Sequence, residues 1–109
     1  MAGREEEIEL RIVKRLIIVR PAAEADLLAA KQWYEERRPG LGAELLEAVD
    51  RAMNELEERA EKYPVYYRQF RRVLLRRFPY KVFYLVESER VIVLRILHAK
   101  RDHRRQLGR

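Results

Sequence analysis

The sequence predicts an α+β domain, a helical hairpin packed on one face of a largely antiparallel sheet, with elements in the order (β)β-α-α-β-β-β. Three observations carry this expectation. Apolar residues recur at helical spacing from Ala22 to Lys62, with one break at Pro39-Gly40-Leu41-Gly42. From Tyr67 onward, three runs alternate apolar and polar residues with the period of a strand. A short apolar run, Leu16 to Val19, precedes the helices. At 109 residues the chain can bury one modest core and is too short for two.

Ile8, Leu10 and Ile12 alternate with Glu7, Glu9 and Arg11, as in a half-buried strand. No Gly or Asn turn separates this run from Leu16–Val19, so residues 1–13 read as an N-terminal extension or an extra strand. The domain proper is then 14–109. Pro21 suits the first turn of a helix, where a missing N–H costs nothing. Ala25, Leu28, Ala29 and Trp33 follow helical spacing and predict the buried face of a helix ending near Arg38, with Trp33 as core and Tyr34 as rim. A second helix is expected from about Leu41 to Lys62, with Leu45, Val49, Met53, Leu56 and Ala60 inward and Asp50, Glu55, Glu57 and Glu58 solvated. So short a link makes the two an antiparallel hairpin.

Tyr63-Pro64 ends the second helix. Strands are expected at about 67–76, 80–87 and 90–98, the last two joined by a hairpin at Glu87-Ser88-Glu89. Val82, Tyr84 and Val86 share the middle strand with Phe83 and Leu85, so it is apolar on both faces and should be central. The tail from Lys100 is basic and predicts a short helix.

Charge is unevenly distributed. From Tyr63 onward there are 13 Lys/Arg against 3 Asp/Glu, a net +10, whereas the preceding residues hold 11 against 15, a net −4. A basic sheet on an acidic helical half suggests a surface for a polyanion or an acidic partner. Arginine outnumbers lysine 19 to 5, which suits forked recognition of phosphate or carboxylate. The absence of cysteine excludes a disulfide framework, thiol chemistry and a Cys-based zinc site. Two histidines, His98 and His103, are too few for an all-protein transition-metal site, and no cofactor or metal is expected. No run of about 18 apolar residues is present to span a membrane. The acidic start MAGREEEIEL is not a signal peptide. A cytoplasmic protein is the expectation.

Three stretches together carry a family resemblance: ADLLAAKQWYEERRPGLGAELLEAVD (25–50), RRVLLRRFPYKVFYLVE (71–87) and VIVLRILHAKRD (91–102). They resemble the RelE/ParE superfamily of bacterial type II toxins over roughly 16–105, the ParE-like branch more than the RelE-like one. The resemblance implies a toxin held by a cognate antitoxin, whose acidic, amphipathic C-terminal segment would cover the basic sheet and helical groove. ParE-like members poison DNA gyrase; RelE-like members cut messenger RNA on the ribosome. For a nuclease of this type the matching positions are Arg72, Lys81 and Arg101, with His98 or His103 in place of an aromatic near the C-terminus. Two positions depart from that pattern: Leu74 stands where a second basic residue belongs, and Leu107 where the terminal tyrosine falls. Neither can transfer a proton. The departures favour gyrase binding over RNA cleavage. A non-toxic, natural or engineered scaffold of the same fold is a third reading, supported by the EEEIELRIV run outside the resemblance. Homodimerisation is left open.

The basic residues read as binding positions are Arg68, Arg71, Arg76, Arg77, Arg95, Arg104 and Arg105. Against this stands a plainer reading, in which Arg71, Arg72, Arg76 and Arg77 form a solvated face that keeps an edge strand from pairing promiscuously. Arg95, in the apolar run VIVLRIL, suits either a ligand or a helix glutamate. His98 more simply caps its strand than shuttles a proton. Tyr63, Tyr66 and Tyr67 lie beside the arginines, as an RNA-stacking platform or as anchors of a helix-to-strand corner.

Overall fold

The computed structural model describes residues 14–100 and Leu107. The expected run at Ile8–Ile12 lies outside these residues, and of the expected helix after Lys100 only Leu107 is described, in helical conformation. The elements are β1 (Leu16–Val19), α1 (Pro21–Arg37), α2 (Leu41–Arg59) with a 3-10 turn at Ala60–Lys62, β2 (Val65–Tyr67), β3 (Phe70–Leu74), β4 (Tyr80–Val86) and β5 (Arg90–His98). They form one five-stranded sheet in the order β1-β5-β4-β3-β2. β1 runs parallel to β5, with Leu16 opposite Arg90 and Val19 opposite Val93, and every other pair is antiparallel. The α+β architecture with a helical hairpin on a largely antiparallel sheet is what the sequence predicts.

Pro21 occupies the first turn of α1. The hairpin turn is built around Gly40, whose φ of 90° is a conformation that L side chains adopt only under strain. Glu35 then reaches from the last turn of α1 to the start of α2. Its Oε2 accepts the Gly40 N–H and its Oε1 the Gly42 N–H, both at 2.9 Å. Two backbone donors that a helix start leaves unpaired are thereby satisfied, and these bonds hold the Glu35 carboxyl below its ordinary range. Glu44 makes a second tie, accepting from Arg38 at 3.0 Å and from Arg77 at 2.6 Å. That links the helical turn to the β3–β4 connection.

Leu45, Val49 and Leu56 of α2 are buried against Val73, Val82, Tyr84, Val91, Val93 and Ile96 of the sheet. Tyr84, fully buried, donates its hydroxyl to the Ala60 carbonyl at 2.7 Å, and burial pushes the phenol up to about 12. A smaller cluster forms on the opposite face from Phe83, Leu97 and Leu107, with Tyr66, Tyr67 and Phe70 against it. β4 is thus central and apolar on both sides.

Three expectations need correction. The buried face of α1 is Ala23, Leu27, Ala30 and Tyr34, not Ala25, Leu28, Ala29 and Trp33. Leu28 is 57% exposed and Trp33 48% exposed. Trp33 is therefore no core residue; Arg37 lies 3.5 Å from its ring centre instead, while Tyr34 packs edge-on against Phe78. The predicted strand at 67–76 is two strands, because Arg68, with φ 55°, turns the chain between Tyr67 and Phe70. Finally, Glu55 is half-buried, held by Arg59 and Lys62 at 3.7 and 3.1 Å, and Glu57 is half-buried too.

Candidate functional site: the open face of the sheet

The helices cover one side of the sheet, so a surface for a large partner must be sought on the other side and along the edges. Strand alternation decides which arginine goes where. Arg72 stands opposite Phe83, on the open side, and its guanidinium lies 3.6 Å from the centre of the Tyr66 ring. Arg68 lies 5.1 Å from the Tyr67 ring. Lys81, opposite Leu74 and Leu97, shares this side and is half-buried with no side-chain partner among the described residues. The open face thus carries two cation–π pairs and a lysine around the Tyr66, Tyr67, Phe70 and Phe83 rings.

The other predicted positions among the described residues do not join this group. Arg71, next to Arg72 in sequence, points to the helix side and donates to the Tyr63 and Glu61 carbonyls at 2.6 and 3.3 Å. It braces the helix-to-strand corner. Arg76 and Arg77 lie in the loop after β3; Arg77, with φ 71°, is committed to Glu44, and Arg76 is exposed. The two doublets do not share a strand: Arg71 and Arg72 are on β3, Arg76 and Arg77 in the loop after it.

Arg95 pairs with an aspartate rather than a glutamate. Its Nε and Nη2 donate to the two oxygens of Asp26 at 2.7 and 2.8 Å, which holds the guanidinium proton more tightly than usual. Asp26 also accepts the Ile96 N–H at 2.9 Å. β1 ends opposite Val93, so Ile96 lies beyond its reach, and the Asp26 carboxylate takes the place of a neighbouring strand.

His98 belongs to the helix side. It stands opposite Tyr80, with the rings edge-on at 5.3 Å, and its Nδ1 accepts the Lys100 N–H at 3.2 Å. With Tyr80, Ala29, Ala30 and Trp33 it lines a groove of about 630 Å³ between α1 and the end of β5. Arg101, Arg104 and Arg105 lie outside the described residues, as does His103. Leu74 is 57% exposed on the open side, and Leu107 is 5% exposed within the aromatic cluster. Among the described residues no three His, Asp or Glu side chains gather where a metal ion could bind. No helix among them is long and apolar enough to cross a membrane.

Sequence reasoning missed the Arg72–Tyr66 stack and the α1–β5 groove. The stack was foreshadowed by a basic residue six places after an aromatic across a tight turn. The groove had no signal beyond the alanines of α1.

The chain matches the family model described as "ParE toxin of type II toxin-antitoxin system, parDE" over residues 17–103. The chain belongs to the ParE toxin family. A solved structure of the chromosomal ParDE TA system from P. aeruginosa has the same fold, with a TM-score of 0.71. The two are 20% identical, and the match covers 80% of this chain and 98% of that one. No curated protein matches. ParE toxins are one half of a toxin–antitoxin pair, so the family assigns this chain an antitoxin as partner.

Proposed function

We propose that this ParE-family toxin inhibits growth in the cytoplasm by binding DNA gyrase, and that it does not cleave RNA. One observation carries the reading: of the ribonuclease groups among the described residues, the cations Arg72 and Lys81 are on one side of the sheet and His98 is on the other. Attack by a ribose 2′-OH on the adjacent phosphate requires a base, an acid and cations within hydrogen-bond reach of one phosphodiester. Arg72 and Lys81 offer cations on the open face, while His98 packs against Tyr80 on the helix side. Leu74 beside Lys81 brings no charge, and Leu107 fills an apolar cluster. The Arg72–Tyr66 and Arg68–Tyr67 stacks suit contact with a surface better than proton transfer.

Two assays on the purified chain separate the readings. Loss of gyrase supercoiling, or accumulation of cleaved DNA, at micromolar toxin is the expected result. Cleavage of ribosome-bound messenger RNA that disappears in Arg72→Ala would replace gyrase with the ribosome as the target. Normal growth on induced expression, with neither effect in vitro, would leave the non-toxic scaffold.

A further inference from the structure

β2 pairs with β3 only as far as Arg71, so the rest of β3 is a sheet edge with no partner strand among the described residues. Leu75 turns its N–H inward to the Tyr80 carbonyl at 2.9 Å. By alternation, the backbone N–H and C=O of Leu74 face outward. Between this edge and α2 runs a groove of about 400 Å³. Ala48, Ala52 and Val73 line it, and Arg51, Arg59, Lys62 and Arg76 stand around it with Glu55 as the one carboxylate in the lining. Glu55 is already engaged by Arg59 and Lys62. Arg51 and Arg76 are exposed and have no side-chain partner among the described residues. An unpaired strand edge and a mostly polar groove with surplus positive charge over a few small apolar side chains fit an extended segment that alternates apolar and acidic residues.

This chain contains such a segment. Glu5, Glu6, Glu7 and Glu9 are interspersed with Ile8, Leu10 and Ile12. The described chain begins at the right place to deliver it. Lys14 pairs with Glu58, the Arg15 N–H donates to the Glu57 carbonyl, and the Arg15 guanidinium reaches Glu61, all at the C-terminal end of α2. Arg71 is anchored at that same end, by the Glu61 and Tyr63 carbonyls, whereas Arg77 beyond β3 meets Glu44 near the start of α2. β3 therefore runs from the C-terminal toward the N-terminal end of α2. A segment leading into Lys14 along the groove would run antiparallel to β3. Thirteen extended residues span about 45 Å, while α2 and its 3-10 turn from Ala48 to Lys62 cover roughly 22 Å.

We propose that residues 5–12 dock in cis in the groove between β3 and α2, adding a strand to the free edge, with their carboxylates against Arg51, Arg59, Lys62 and Arg76. Binding at this edge is independent of which cellular target the toxin meets.

The chain lacks cysteine, so Ala2→Cys accepts a single nitroxide label on the full-length protein. The expected result is paramagnetic broadening of the Leu74 and Arg76 amides that is unchanged when labelled chain is diluted with unlabelled chain. Amide exchange at Leu74 should be about tenfold slower than in a variant with Glu5, Glu6, Glu7 and Glu9 all changed to Lys. Raising the salt concentration on the unsubstituted chain should weaken the broadening as well, a readout that does not depend on that variant folding. Broadening that falls on dilution would assign the groove to a second copy and overturn the proposal. So would undisturbed Leu74 and Arg76 amides that respond only to an added acidic, apolar-alternating peptide, which would assign the groove to a partner.

Discussion

Asp26 closes the sheet where β1 stops, accepting two hydrogen bonds from Arg95 and a third from the Ile96 backbone. The pair is partly shielded, with side-chain exposures of 27% for Arg95 and 14% for Asp26. Asp26→Ala removes all three bonds and leaves a guanidinium and a strand N–H to find water. Charge-assisted bonds of this exposure suggest a loss of roughly 1–3 kcal/mol, measured by denaturant unfolding. A change within error would show that solvent replaces the carboxylate at no cost.

Tyr84→Phe keeps the ring in the core and deletes one hydroxyl. The Ala60 carbonyl, in a residue with no exposed surface, loses its 2.7 Å partner. An orphaned buried acceptor costs roughly 1–3 kcal/mol. The expected readout is a lower unfolding midpoint with an unchanged denaturant slope, since the fold itself is retained.

Glu35 links stability to pH. Its carboxyl is held below the ordinary range, chiefly by the Gly40 and Gly42 N–H groups. The stabilisation is present above the unfolded-state value and is lost as pH falls through the lower, folded-state one. Glu35→Gln should therefore unfold more easily than the unsubstituted chain at about pH 7, with the gap narrowing toward about pH 3. A gap that stayed constant with pH would mean that the charge of Glu35 is irrelevant to the turn.

Gly40→Ala tests the same turn through the backbone. Nothing lies within 4 Å of the added methyl, so any loss comes from the φ of 90° and not from a clash. The expected cost is about 1–2 kcal/mol. Gly42→Ala contrasts with it, because its methyl would meet Glu35 Oε1 at 2.9 Å and the Lys31 carbonyl at 3.1 Å. That substitution should displace the Glu35 cap and thereby remove the pH dependence predicted for it.

Leu74→Arg supplies the missing cation beside Lys81. It should leave the chain without RNA-cleaving activity, because a cation alone supplies no proton acceptor, and His98, the one histidine among the described residues, faces the helices. Cleavage of ribosome-bound messenger RNA by this variant would show that the open face lacks only charge for that chemistry.

Much of the fold was legible because it depends on strong, local signals. Pro39-Gly40-Leu41-Gly42 breaks the helical spacing, and the φ at Gly40 shows why a glycine stands there. The face of α1 was not legible, since alanines at 22, 23, 25, 29 and 30 mark both sides of the helix almost equally. Packing chose Ala23 and Ala30 because Leu27 and Tyr34 share their side. The turn at Arg68 was hidden because neither glycine nor asparagine marks it. For the candidate site, composition located the positive charge but not its direction. Neighbouring arginines on a strand point to opposite faces, so Arg71 became a brace and Arg72 a stacked surface residue.

The parallel pairing of β1 with β5 bears on how the chain is born. Leu16 to Val19 are synthesised early, yet their partners, Arg90 to Val93, come some 70 residues later. At about 5–20 residues per second the first strand waits roughly 4–14 s for the last. Until then the sheet lacks the strand that joins its two ends. Until β5 emerges, a ribosome making this chain therefore carries a sheet whose first strand has no partner.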